Sequence, residues 1–275
     1  MLKTLGIGSA SLLFPDCLNP PWIQDAQIQL RNNAPKIFAD HLKNDITIRV
    51  TAPQIVVNDL IKNIPRPGDV ISPTIHKSQS PVPDISFIAG APATRDMIYT
   101  AHRLSESLLT VSLCMGDNLY SQQAKPRQNE CIICDKGMSS HMASKIIMNV
   151  SELAYLRGVI GFDLADLKSS VAGKTIRVSL TKVVYDKHFA KEVREIIPNA
   201  QIDDSLVCCV RMPDSYLASH RTFSLISELA DNIYPAAKDD AFVFFADSYS
   251  PFMKPDEVEI TLLYTSTFDQ SPPQV

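Results

Sequence analysis

The sequence predicts an α/β protein organised in two parts around one long helix. Three observations carry that prediction. Residues 85–89 are a short, mostly apolar run, as expected of a strand covered on both faces in a parallel sheet, and 109–114 and 130–134 read as further strands. Met142, Ile146, Val150 and Leu153, with Ile147 and Ala154 alongside, recur at i, i+4, i+8 and i+11. That is one apolar face of a helix about 18 residues long. After this helix, strand-like and helix-like segments come in the order β-α-β-α-β-β.

Taken in order, residues 2–7 read as a short strand that ends in Gly6, Ile7, Gly8, Ser9 and Ala10. This placement suits a phosphate loop after the first strand of a Rossmann-like domain. Pro15, Pro20 and Pro21 then oppose the long helix whose N-terminus such a loop needs. Residues 23–42 read as a helix disturbed by Pro35, 46–50 as an alternating strand, and 53–64 as a helix with proline in its first turn. The Pro-, Ser- and Gly-containing stretch 65–83 has no periodicity and reads as a surface loop or linker. The strand at 85–89 is followed by a loop, a helix at 96–108, the strand at 109–114, a polar loop at 116–129 and the strand at 130–134.

The central helix has Ser139 and Ser140 as N-cap candidates and is expected to stop at Arg157 and Gly158, with glycine taking the left-handed conformation of a C-terminal cap. Beyond it come strands at 174–184, 204–211, 241–247 and 257–265, and helices at 187–197 and 216–233. The tail 268–275 is polar and expected to fray. The predicted division is therefore 1–136, the helix 137–157, a smaller α+β domain 158–267, and the tail.

A chain of 275 residues with 45% apolar and 20% charged content reads as globular. Net charge is −4 and pI about 5.9, which argues against electrostatic binding of nucleic acid or acidic membranes. No apolar run is long enough to span a bilayer, the first residues lack a signal-peptide cleavage region, and the expected location is the cytoplasm. Cys131 and Cys134 have C-x-x-C spacing, yet isoleucines fill the gap and no second pair lies nearby, so a buried strand with two reduced thiols is expected. His41, His76, His102, His188 and His220 show no ligand spacing, and no residue is assigned to a metal. Only nine glycines are present, far below the usual share of about 7%, which leaves few for phosphate-binding loops.

The candidate site lies just past the central helix. Asp163 and Asp166 are three residues apart, a spacing that points both the same way on a helical turn. Residues alone allow two readings: caps for a following short helix, or a pair of carboxylates presented for chemistry.

The helix ending soon after Ser151, Glu152 and Leu153, then Gly158, then Phe162, Asp163, Leu164, Ala165, Asp166, Leu167 and Lys168, resembles the central helix and following loop of FtsZ, the bacterial relative of tubulin. The family pattern there is G-L-[IM]-N-V-D-F-A-D-V-[RK], and Gly161 stands where asparagine is usual. The resemblance implies an FtsZ/tubulin-type N-terminal domain, central helix and C-terminal domain. It also implies that Asp163 and Asp166 act on the nucleotide of a neighbouring subunit, orienting the water that attacks GTP, with Phe162, Leu164 and Lys168 at that interface.

The nucleotide side departs from the family. Its strand runs into G-G-G-T-G-T-G, whereas here the chain continues with Gly90, Ala91, Pro92, Ala93, Thr94, Arg95 and Asp96. Pro92 has no N–H and Asp96 brings negative charge toward a phosphate. The position that meets the guanine falls at Ser140 and His141. Expected, then, is a divergent protein of this kind with no cofactor and no GTPase activity of its own, acting on itself or on an FtsZ-type protein of a cell-division polymer. The alternative is an active filament protein binding GTP with magnesium through Gly6, Gly8, Gly90 and Arg95.

Overall fold

The structure is a computed structural model that describes residues 23–30, 46–62, 70–73, 84–90, 107–115, 126–135, 137–155, 158–197, 202–217, 219–250 and 253–266. The chain divides into two compact units: Met1–Arg157 with Asp163–Thr175, and Gly158–Phe162 with Ile176–Val275.

The first unit contains β1 (Ile23–Leu30), β2 (Ile46–Pro53), helix α1 (Gln54–Lys62), β3 (Val70–Pro73), β4 (Ile85–Gly90), β5 (Leu109–Cys114), β6 (Glu130–Cys134), helix α2 (Ser140–Tyr155) and helix α3 (Leu164–Val171). Its strand order is β3-β1-β2-β4-β5-β6. Strands β2, β4, β5 and β6 run parallel, with Ile48 beside Ile85, Ile85 beside Leu109, and Thr110 beside Glu130. As the apolar runs require, Ile48, Val50, Ile85, Phe87 and Leu109 are fully buried, and so are Val56 and Leu60 of α1 and Ile146 and Ile147 of α2. Helix α1 packs against α2. The Ser139 hydroxyl accepts from the Met142 N–H at 3.1 Å, which is the expected N-cap.

Two predicted elements are corrected. Residues 23–30 form a strand, not the start of a helix: Ala26, Ile28 and Leu30 alternate with Gln27 and Gln29, and β1 pairs antiparallel with β2, Ile23 opposite Pro53. This period of two outweighs the helical reading of a polar, glutamine-rich stretch. The second correction falls inside the predicted linker, where β3 pairs antiparallel with β1, Pro73 opposite Ala26. Proline is tolerated there because β3 is the last strand of this order and proline sits at its end. The predicted elements at 2–7 and 31–42, most of the helix at 96–108 and the tail lie outside the described residues.

The second unit contains most of β7 (Lys174–Val184), then helix α4 (Phe189–Ile196), β8 (Ile202–Pro213), helix α5 (Arg221–Ile233), β9 (Phe242–Ser250) and β10 (Glu257–Ser266). The predicted order β-α-β-α-β-β is observed. Strand order is β7-β10-β8-β9, with β10 antiparallel to both neighbours and β8 parallel to β9. Helices α4 and α5 pack on each other, and Phe189, Val193, Leu206, Leu225, Leu229, Ile260 and Leu262 form one core. Helix α5 begins at Arg221 rather than at 216, because a 3-10 turn (Asp214–Tyr216) comes directly after Pro213.

At the start of β10, Asp256 is the one non-glycine residue with positive φ (66°) among the described residues. Aspartate tolerates this region through local hydrogen bonds. Here its carboxylate accepts from the Tyr216 hydroxyl at 3.2 Å and Arg221 Nη1 at 2.5 Å, and its carbonyl accepts from the Tyr185 N–H at 2.7 Å.

Leu262→Ala, at a fully buried position in β10, is expected to lower stability by about 3 kcal/mol. Phe223→Ala, at a position 60% exposed on α5, should stay within about 0.5 kcal/mol of the unsubstituted chain. Urea unfolding followed by circular dichroism measures both.

Candidate functional site

The segment between α2 and α3 is held at two places. Residues Gly158–Phe162 belong to the second unit and are pinned to β9. The Val159 N–H donates to Asp247 Oδ2 and the Ile160 N–H to Asp247 Oδ1, both at 2.8 Å. Asp247 is 2% exposed. Burial, and then the Asp247 carboxylate beside it, push the Tyr249 hydroxyl well above the usual tyrosine range.

Gly158 does not take the left-handed conformation expected of a helix cap; the positive-φ glycines among the described residues are Gly137 and Gly173. Glycine is required at 158 for another reason. A Cβ there would lie inside van der Waals contact with the Asp247 carboxylate and its carbonyl oxygen, so only glycine lets the loop approach β9 this closely.

Phe162 is also corrected as an interface residue. It is 5% exposed and meets Phe244 edge-on at 6.1 Å between centroids, so it is a core residue of this chain. Leu164 and Lys168 remain partly exposed.

The second hold is at α3. Asp163 is its N-cap, in extended conformation, and its Oδ1 accepts from the Ala165 N–H at 2.7 Å and the Asp166 N–H at 3.1 Å. Asp166 Oδ2 accepts in return from the Asp163 N–H at 3.0 Å, completing a reciprocal capping box. Both charges also sit favourably at the positive end of the helix dipole. The capping reading of the pair is therefore met. It does not remove the other, because Asp163 is exposed and Asp166 half-buried: the helix holds the carboxylates in place while solvent reaches them.

Of the nucleotide set, Gly6, Gly8 and Arg95 lie outside the described residues. Gly90 ends β4, where its carbonyl accepts from the Met115 N–H at 3.1 Å. Among the described residues, nothing lies within 4 Å of where a Cβ at Gly90 would sit. His141, at the guanine position, is exposed on the first turn of α2. Among the described residues no group of three or more His, Cys, Asp or Glu is placed to hold a metal, and no helix is long and apolar enough to cross a membrane.

Cys131 and Cys134 are buried in β6 and form no disulfide, as expected of a structural strand. Cys134 lies beside Cys114 of β5. A hydrogen bond with Cys134, then burial, push the Cys114 thiol up, and burial does the same at Cys131, Cys208 and Cys209.

The residue that sequence reasoning missed is Asp247. Its signal is a charge inside the apolar run FVFFADSYS, where the sequence alone suggests no more than the end of a strand.

Asp163→Ala should cost about 1 kcal/mol by removing the cap, while Asp163→Asn, which keeps an acceptor, should retain most of that; thermal unfolding of the two variants checks it. Iodoacetamide should leave Cys131, Cys134, Cys208 and Cys209 unlabelled in the folded chain and label all six cysteines in denaturant, as read by mass spectrometry.

No family model and no curated protein matches this sequence. Solved structures do. An FtsZ W319Y mutant from M. jannaschii aligns with TM-score 0.50 and 14% identity over 67% of this chain and 66% of that one. An empty FtsZ dimer from the same organism gives 0.49 and 12% over 67% and 64%. CetZ from Methanosaeta thermophila gives 0.42 and 11% over 66% and 61%. The chain thus spans just under two thirds of the length of these structures. With the central helix, the β-α-β-α-β-β succession and the first of these alignments together, the chain has an FtsZ/tubulin-like fold.

Proposed function

We propose that this protein acts through filament-type contacts in the cytoplasm. It associates with itself or modulates and caps a tubulin-like polymer by presenting the loop with Asp163 and Asp166 to a neighbouring subunit, and it does not hydrolyse GTP alone. The observation that supports this best is the carboxylate pair itself, fixed by a reciprocal capping box yet open to solvent. A pair meant to act on a neighbour's nucleotide must be both rigid and accessible.

The lack of independent hydrolysis rests on the chemistry of the segment after β4. Phosphoryl transfer depends almost wholly on positioned donors and charge. Pro92 supplies no N–H, and Asp96 carries a negative charge where the family pattern has none. A single guanidinium at Arg95 does not replace a ring of amides.

The test mixes the purified chain with a polymerising FtsZ and follows light scattering and GTP turnover. An altered extent or rate of assembly is expected. It should fall at least about threefold for the Asp163→Asn, Asp166→Asn double variant, which removes both charges but keeps the helix capped. No effect of the unsubstituted chain on FtsZ, together with no self-association by ultracentrifugation, would overturn the proposal. Isothermal titration with GTP and magnesium should show no micromolar binding; micromolar affinity would establish the active filament protein instead.

A further inference from the structure

The geometry points to Asp247 as the positioning residue of the docking loop: its carboxylate grips two successive peptide N–H groups and thereby fixes the backbone of the segment Gly158–Phe162 that leads into Asp163. This inference rests on the proposed function for its consequence, though not for its geometry.

Two successive amides converging on one carboxylate, each on its own oxygen, fix two peptide planes at once. Charge-assisted bonds to a buried carboxylate are stronger than neutral ones, and little water competes at a site 2% exposed. The surroundings are built for that grip. Gly158 gives up its side chain so that the loop can reach Asp247. Tyr249, two residues along the same strand, places its hydroxyl against the carboxylate and also meets Thr222 Oγ1 at 3.3 Å. Phe162 then closes the segment against Phe244. Five residues of irregular backbone are thus anchored at both ends, and the next residue is the N-cap Asp163. A buried carboxylate in the middle of an apolar strand is costly, and packing alone gives no reason for it.

The experiment uses the full chain and amide hydrogen exchange read by NMR. In the unsubstituted protein the Val159 and Ile160 amides should exchange at least about 100-fold more slowly than that of Gly161, although none lies in a helix or strand. In Asp247→Asn, which keeps the shape but offers one acceptor oxygen in place of two, exchange at 159 and 160 should rise at least about tenfold while that of β8 is unchanged. The same variant should lose the effect on FtsZ assembly as the Asp163→Asn, Asp166→Asn variant does, with both aspartates intact. Unprotected amides at 159 and 160 in the unsubstituted chain would overturn the inference even if the variant failed to fold. So would unchanged exchange in Asp247→Asn, or an assembly effect that persists there but is lost in the double variant. If the unsubstituted chain has no effect on assembly, the proposed function fails, and the exchange rates still decide the role of Asp247.

Discussion

A carboxylate sealed inside a sheet is unfavourable unless its oxygens are fully engaged, and the organisation of this molecule around residue 158 obeys that constraint. Asp247 engages two N–H groups from a segment that regular structure leaves without partners. The chain leaves the first unit at Arg157, contributes five residues to the second, and returns at Asp163. Hydrogen bonding and aromatic packing hold those five residues. Reciprocal capping holds the start of α3. The loop is irregular in conformation but well supplied with hydrogen-bond and packing partners.

Strand β4 is plain in the sequence because burial on both faces leaves a mostly apolar run, and β5 is a short strand-like segment although Thr110 and Ser112 are buried between its apolar residues. Residues 85–89 and 109–114 need almost no adjustment. The central helix is equally plain, since its apolar stripe repeats over about three turns and a serine marks its start. Strand β1 is not, because its glutamines suit a solvated helix as well as a strand with Gln27 and Gln29 on one face. Its partner β2 decides between them, and partnership is not a local property. Strand β3 is four residues long and ends in proline, too short for periodicity to show.

At the site, the sequence reveals residue types and spacing but not their partners. The separation of Asp163 and Asp166 suits a capping box and a carboxylate pair presented for chemistry alike; the structure shows the capping box. Gly158 reads in the sequence as a backbone device, whereas in the fold it is a steric one. The difference lies in Asp247, 89 residues away in the sequence, and no local pattern links the two. Phe162 sits next to an exposed aspartate, yet its ring turns inward to Phe244, a second pairing that only the fold supplies.

The corner at Asp256 carries a consequence for how such sequences drift apart. Its backbone tolerates glycine, asparagine or aspartate, but its carboxylate also ties the first residue of α5 to the start of β10 through Arg221 and Tyr216. Asparagine would keep the bend and weaken the hold on the guanidinium; glycine would keep the bend and lose the tie altogether. A position constrained by both dihedral angle and charge should change more slowly than the loops around it, so among remote descendants of this chain the Tyr216–Arg221–Asp256 trio would outlast any phosphate-loop fingerprint as a mark of common origin.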